Sequence, residues 1–187
     1  MAHAGLSELI KLVDAAMEKD SVTDTVETIK AALCRLIRSG KIDLSPELTR
    51  PVEEHYARRL LHRNDEKGYS IVVMTWAPGQ KTLIHDHSGM WCVEGVWGGS
   101  IDVQQYERND SGGDGIHFEP RNSYEAGVGS AGCLIPPYEY HSISNASEGT
   151  TAVSLHIYGG EMACCSVFER QSDGTYQRRR ELLGYDN

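Results

Sequence analysis

Features that would indicate several other classes of protein are missing from this sequence. No apolar run approaches the roughly 18 residues that a membrane-spanning helix needs, and the first residues lack the charged-then-apolar pattern of a secretory signal. Basic residues are outnumbered, with 18 against 27 acidic ones and a net charge of −9. Because nucleic-acid surfaces need clustered Lys and Arg, we expect neither a nucleic acid nor a membrane as a partner.

The cysteines show no disulfide or zinc pattern. They are odd in number, irregularly spaced and without a Cys-x-x-Cys pair: Cys34, Cys92, Cys133, Cys164 and Cys165. A disulfide framework is therefore not expected, and a reducing cytoplasm is the predicted location. The 187 residues suit one soluble domain with a sizeable core. The oligomeric state stays open, and a monomer is compatible with the sequence.

The first part of the chain has the apolar spacing of helices. Two segments before residue 40 repeat apolar residues at helical intervals, and Ser21 or Thr23 is a suitable N-cap for the second. Ser45 followed by Pro46 is typical of the start of a short third helix. We expect residues 1–50 to form a helical lead that packs on the rest of the chain.

After Pro51 the composition favours β-structure. Strand-like segments occupy residues 69–76, 93–97, 101–106 and 151–158. Residues 109–115 are rich in Gly and Asp, which predicts a turn. Short strands separated by such turns are typical of a sandwich or barrel, so residues 51–187 are predicted to form an all-β body. The tail after residue 177 is expected to be a solvated end.

Three histidines form the most informative pattern. His85 and His87 are two residues apart, so on a β-strand both side chains would point to one face. With His141 from a distant segment, they could form a metal site with open coordination positions. Three neutral ligands would leave the full metal charge to attract an anionic substrate. Taken alone, a His-x-His pair could equally be two exposed polar residues.

The spacing around these histidines resembles the two sequence motifs of cupins. The matching positions are Gly79, His85, His87 and Gly99, followed by Pro136, His141 and Asn145. Cupins usually have a Glu ligand shortly after the second His, but Trp91 and Cys92 occupy that place here. A fourth protein ligand would take the place of one reactant, which is a physical reason for losing it. A cupin with all three His and no such Glu is similar to the cysteine dioxygenase family of thiol dioxygenases.

Two further segments carry the same resemblance. Ser154-Leu-His156-Ile-Tyr158 is similar to the Ser-x-His-x-Tyr set that the family has beside its iron, and Tyr56-Ala-Arg58 to its substrate-binding Tyr-x-Arg. The resemblance implies a cupin fold, a double-stranded β-helix of the jelly-roll type. It also implies a mononuclear Fe(II) held by the three histidines. The implied reaction adds both atoms of O2 to the sulfur of L-cysteine and yields a sulfinate.

Three His alone would not select iron, since they also hold catalytic zinc. A zinc or manganese cupin acting as a hydrolase or isomerase therefore stays open as an alternative. So does a cupin that binds a small molecule or a metal without catalysing a reaction.

Arg58 is the candidate for recognising the substrate carboxylate. Its planar guanidinium could make two parallel hydrogen bonds to a carboxylate, which Lys cannot. The alternative is that Arg58 and Arg59 are surface charges. Related enzymes that use 3-mercaptopropionate typically have Gln at the position of Arg58, so the resemblance favours cysteine. Other mercapto-acids, including 3-mercaptopropionate and mercaptosuccinate, remain open as substrates.

Ser154, His156 and Tyr158 are expected to share one strand face, because side chains alternate along a strand. In the functional interpretation, Tyr158 places its hydroxyl over the substrate or O2, and His156 and Ser154 form a hydrogen-bonded relay behind it. The alternative is a buried polar network that only stabilises the fold.

Cys92 and Glu94 raise two further questions. In one branch of the family, a Cys at the position of Cys92 forms a thioether with the Tyr that corresponds to Tyr158. The neighbouring Trp91 resembles the branch that lacks this bond, so the thioether is left open. Glu94 is the nearest candidate for a displaced carboxylate ligand. We interpret it instead as a residue that lies around the site or at its rim.

Overall fold

The structure is a computed structural model that describes residues 5–110 and 115–187. Its helices are α1 (Leu6–Ala16), α2 (Val22–Arg38) and α3 (Pro46–Thr49). Ser21 caps α2, because its Oγ accepts a hydrogen bond of 3.1 Å from the backbone N–H of Asp24. Ser45 precedes α3 as expected, but its side chain makes no capping hydrogen bond. Within the described residues, no helix is long and apolar enough to cross a membrane.

Eleven strands follow in the described part of the chain. They are β1 (Ala57–Asn64), β2 (Tyr69–Trp76), β3 (Ile84–His85), β4 (Cys92–Gly98), β5 (Ser100–Asn109), β6 (His117–Gly127), β7 (Ala131–Leu134), β8 (His141–Asn145), β9 (Ala152–Tyr158), β10 (Cys164–Arg170) and β11 (Tyr176–Leu182). They form a five-stranded sheet in the order β1-β2-β9-β4-β7 and a six-stranded sheet in the order β11-β10-β3-β8-β5-β6. Neighbouring strands pair antiparallel, and the result is a double-stranded β-helix. The predicted cupin fold is confirmed.

The five-stranded sheet separates two apolar clusters. Val153, Leu155 and Ile157 of β9 pack with residues of α1 and α2 on the outer face. Ala152 and Tyr158, at alternate positions, belong to the cluster inside the barrel. Ser154 and His156 lie between these two residues on the same inward face of β9, because side chains two positions apart point to the same side of a strand. They are buried in the barrel and do not contact the helices. The helices thus cover one sheet and leave the barrel interior to the site.

Close packing of α2 on the barrel depends on a glycine. A Cβ atom on Gly95 of β4 would lie 2.7 Å from a methyl group of Leu33 and 3.2 Å from one of Ile37. Since neither contact is tolerable without movement, a larger residue would push α2 away from the sheet. The division into a lead of residues 1–50 and a barrel of residues 51–187 remains an interpretation of the sequence.

The second half of the barrel was the harder part to predict. No bounds were predicted from the sequence for strands β1, β3, β6, β7, β8, β10 and β11, although His141 was expected on a strand. The turn predicted at residues 109–115 falls mainly on residues 111–114, which lie outside the described residues. The tail predicted to be solvated is largely exposed, but it is not a loose end, because Tyr176–Leu182 pairs along its whole length with β10.

Candidate active site

His85, His87 and His141 converge inside the barrel. Their ring centroids are 4.4 to 5.4 Å apart, and their candidate ligand atoms all lie within 4.8 Å of one another. His85 and His141 are direct cross-strand partners on β3 and β8. His87 follows β3, which is only two residues long, and the hydrogen bond of 3.0 Å from Asp86 N to Ser166 O keeps the chain against β10. The shared direction of His85 and His87 therefore depends on this backbone contact as well as on strand geometry.

The three imidazoles fit a metal ion. His85 and His141 have their Nδ1 atoms on backbone carbonyls of Leu83 and Glu139, at 3.1 and 2.9 Å, which leaves Nε2 of each ring for a metal. Nε2 of His141 is buried without a hydrogen-bond partner among the described residues. Burial lowers the pKa of all three rings, so they are neutral, which is the form that ligates.

Arg58 lies in the same cavity, which has a volume of about 250 Å³. Its side chain is 6% exposed, and its Nη1 and Nη2 donate to the carbonyls of Gly184 and Met162 at 2.9 and 3.1 Å. Within the described residues, no carboxylate oxygen comes within 4.0 Å of the guanidinium. Arg58 is therefore a buried cation without an anionic partner, which favours the binding of an anion.

Arg59 points away from this cavity, toward Leu48 O and Thr75 Oγ1. It is 3% exposed, so neither arginine is a surface charge. Tyr56 lines the cavity beside Arg58 and stacks on Trp76 with ring centroids 4.7 Å apart. Burial raises the pKa of Tyr56 to about 12, so it remains a neutral phenol.

The C-terminal segment completes the cavity wall, and sequence reasoning missed it. Arg179, Glu181 and Leu183 line the cavity, and Asp186 accepts a hydrogen bond of 2.8 Å from the backbone N–H of Arg58. Because β11 has polar residues on both faces, it shows no strand periodicity. A signal was present in the Asp173-Gly174 pair, a dipeptide typical of hairpin turns.

Ser154 and His156 form half of the expected relay. Trp76 Nε1 donates to Ser154 Oγ at 2.9 Å, and Ser154 Oγ is 2.8 Å from His156 Nε2. Among the described residues, no hydrogen bond joins His156 to the hydroxyl of Tyr158. The two rings are stacked, with centroids 6.0 Å apart. Tyr158 lines the cavity together with His156.

Cys92 and Tyr158 are direct cross-strand partners on β4 and β9. Both side chains are buried. Burial raises the pKa of the Cys92 thiol well above its ordinary range, while a hydrogen bond with Tyr158 acts in the opposite direction. The register therefore places sulfur and phenol next to each other, as a thioether between them would need.

Glu94 does not lie at the rim. It is 5% exposed and is the cross-strand partner of His156. Its Oε2 is 3.8 Å from His141 Nε2 and 3.6 Å from His156 Nδ1. Burial raises the pKa of Glu94 to about 7. A buried carboxylate thus lies close to His141 and His156, which agrees with the interpretation of Glu94 as a residue around the site but not with a place at its rim.

A double-stranded β-helix with three histidines converging in its cavity is a cupin with a candidate metal centre. The family model described as cysteine dioxygenase type I matches residues 48–171, well over half of the chain. The chain belongs to the cysteine dioxygenase type I family.

Relatives with known names are distant. Cysteine dioxygenase type 1 of Danio rerio is 23% identical over 176 residues, covering 89% of this chain and 80% of that protein. The enzyme of the same name from Rattus norvegicus is 20% identical over 117 residues, covering 63% of this chain and 57% of that protein. The chain therefore spans little more than half the length of the rat relative. Among solved structures, TT1209 from Thermus thermophilus has a TM-score of 0.48 at 20% identity, covering 63% of this chain and 94% of that one.

Proposed function

We propose that the protein is an iron-dependent thiol dioxygenase that converts L-cysteine and O2 to cysteine sulfinate. The observation that carries the proposal is one cavity faced by three neutral imidazoles and by a buried guanidinium without a carboxylate partner among the described residues. Membership of the family supports the reaction class. Fe(II) as the metal, L-cysteine as the thiol and the cytoplasm as the location are parts of the proposal.

The chain's own residues would bind the two ends of the substrate. His85, His87 and His141 would hold the iron, and Arg58 would pair with the substrate carboxylate through N–H groups that Gly184 and Met162 leave free. When bound, the iron would hold the sulfur as a thiolate and supply the redox centre for its reaction with O2. Arg58 then selects thiols that carry an acid group.

Conversion of a thiol and O2 to a sulfinate releases one proton, because the sulfur is oxidised by four electrons and both oxygen atoms stay on it. Tyr158 would act at the cavity wall as a hydrogen-bond donor. Burial raises the pKa of its phenol well above the ordinary value, so the hydroxyl keeps its proton. Trp76, Ser154 and His156 would hold the neighbouring wall in place through their two hydrogen bonds.

Oxygen uptake by the iron-loaded protein tests this function. The panel is L-cysteine, 3-mercaptopropionate, mercaptosuccinate and cysteamine, with the products identified by mass spectrometry. We expect one O2 consumed per L-cysteine and a sulfinate product. Faster turnover of 3-mercaptopropionate or mercaptosuccinate would replace the substrate and keep the reaction. Absence of uptake with every thiol would overturn the proposal in favour of a metal hydrolase, an isomerase or a binding protein.

A further inference from the structure

The residues that follow β11 connect the edges of the two sheets. β11 is the outermost strand of the six-stranded sheet, and β1 is the outermost strand of the five-stranded sheet. Beyond β11, Leu183 N donates to Ala163 O at 2.9 Å, and Asp186 N donates to Arg58 O on β1 at 2.7 Å. We call residues 183–186 the C-terminal strap. It joins the two sheets beside the cavity, which Arg58 and Leu183 both line.

Asp186 bonds to both main-chain polar groups of Arg58. An edge strand leaves N–H and C=O groups unpaired. The backbone N–H of Asp186 donates to Arg58 O, and Asp186 Oδ2 accepts from the Arg58 N–H at 2.8 Å. The other carboxylate oxygen, Oδ1, is 2.9 Å from Nε2 of His55. Because both oxygens have partners, the carboxylate is held in one orientation, and it holds the backbone of Arg58 in turn.

The C-terminal strap also holds the guanidinium of Arg58. Nη1 donates to Gly184 O at 2.9 Å, and Cζ lies over the ring of Tyr185, 5.3 Å from its centroid. Tyr185 in turn packs against the apolar cluster inside the barrel. A guanidinium can donate two parallel hydrogen bonds to a carboxylate only when its plane is aligned with it. The contacts of the strap therefore decide which N–H groups of Arg58 face the cavity.

We propose that Asp186 is a positioning residue for substrate recognition: through the C-terminal strap it sets the orientation in which Arg58 meets the carboxylate of an acidic thiol. Asp186 is not one of the described residues that line the cavity, so it acts through Arg58. The inference rests on the proposed function for the class of substrate. It makes the preference for thiols that carry an acid group depend on a residue outside the cavity.

Anaerobic calorimetric titration of the iron-loaded protein with L-cysteine and with cysteamine tests the inference without turnover. Asp186→Ala removes the acceptor of the Arg58 N–H. We expect the affinity for L-cysteine to fall by about tenfold, which equals about 1.4 kcal/mol and is near the lower end for a hydrogen bond to a charged group. The affinity for cysteamine should stay near the wild-type value, because cysteamine has no carboxylate for Arg58.

Two variants separate positioning from a general loss of stability. Asp186→Asn keeps an oxygen acceptor at the same place and should recover most of the affinity for L-cysteine. In oxygen uptake, Asp186→Ala should raise KM for L-cysteine more than it lowers kcat, because the contact with the carboxylate is made before and during the reaction. If Asp186→Ala does not fold, Tyr185→Leu, which removes the ring beside the guanidinium, should also weaken L-cysteine and spare cysteamine.

The matched control is Asp173→Ala. Asp173 Oδ1 accepts hydrogen bonds from Thr175 N at 2.9 Å and from Thr175 Oγ1 at 2.7 Å, in the turn that leads into β11. Its loss should weaken the pairing of β11 from the end opposite to the strap. Thermal stability should therefore fall, whereas the affinities for both thiols should stay near those of the wild type.

A double variant tests whether Asp186 acts through Arg58. When Asp186→Ala is added to Arg58→Ala, the affinity for L-cysteine should not fall further, because the guanidinium that Asp186 positions is already gone. A further tenfold loss in the double variant would overturn the inference. So would an unchanged affinity for L-cysteine in folded Asp186→Ala, or an equal loss for both thiols.

The same measurements distinguish this inference from the proposed function. Each overturning result leaves the oxidation of the thiol by the wild type standing. Conversely, a wild type that binds L-cysteine in a manner dependent on Asp186 but consumes no O2 would remove the proposed function and keep the role of the strap. A wild type that binds no acidic thiol would overturn both.

Discussion

Replacing Arg58 with Ala tests how the site recognises the substrate carboxylate. Arg58 is 6% exposed, donates to two neutral carbonyls and lies over the ring of Tyr185 at 5.3 Å from its centroid, with no carboxylate partner among the described residues. If a substrate carboxylate supplies the missing anion, Arg58→Ala removes one partner of a buried charge pair, at a cost of about 2–5 kcal/mol. At about 1.4 kcal/mol per factor of ten, kcat/KM for L-cysteine should fall by roughly 30-fold to several thousand-fold.

The same substitution also has a structural cost. Hydrogen bonds from a charged donor contribute about 1.5–3 kcal/mol each, and Arg58 makes two of them, to Met162 and Gly184. Loss of these bonds should lower the free energy of unfolding by a few kcal/mol and loosen the C-terminal segment. Thermal unfolding of the variant therefore has to be measured beside its kinetics.

Cysteamine and Arg59 provide the controls. Cysteamine lacks a carboxylate, so it should be a poor substrate whose kcat/KM barely changes in Arg58→Ala. Arg59 is equally buried but points toward Leu48 and Thr75, so Arg59→Ala should lower stability and leave the KM for L-cysteine near the wild-type value. The reasoning is refuted if Arg58→Ala slows both thiols equally, or if Arg59→Ala causes the larger rise in KM.

Three further predictions concern the other residues of the site. His141→Ala should lose most of the iron and essentially all activity, because one of the few protein ligands is gone; full iron occupancy by elemental analysis would contradict this. A Cys92–Tyr158 thioether should lower the intact mass by two hydrogens even after reduction, with Tyr158→Phe slowing turnover much more than Cys92→Ser; an unmodified mass after many turnovers excludes the bond. Burial lowers the pKa of His156 from 6.5 to about 3, so below pH 6.5 only the unfolded chain takes up this proton. Relative to His156→Asn, the metal-free wild type should therefore lose about 1.4 kcal/mol of unfolding free energy for each unit by which the pH falls between those values; parallel pH profiles in urea unfolding would contradict it.

The local sequence pattern was sufficient to predict a strand or helix where its apolar residues follow a single clear pattern. Tyr69–Trp76 was predicted with the bounds that the structure has, because every residue of this central strand is buried and apolar or small. The helical spacing before residue 40 worked for the same reason. Strands β6 and β11 were missed because most of their residues are exposed and polar on both faces. Such strands are held by pairing with a neighbour, which leaves no apolar repeat in their own sequence.

The sequence by itself was enough to predict the fold family, the three candidate metal-binding histidines and the other candidate residues of the cavity, because their order and spacing are properties of the chain. Only the tertiary structure decided what each residue faces. Register pairs Cys92 with Tyr158 and Glu94 with His156, and Glu94 Oε2 lies 3.8 Å from Nε2 of His141. These contacts join strands that are far apart in the chain, and a shift of one residue would turn every side chain to the other face. For that reason the burial of Glu94 between His141 and His156, and the lack of a carboxylate partner for Arg58 among the described residues, became visible only in the folded barrel.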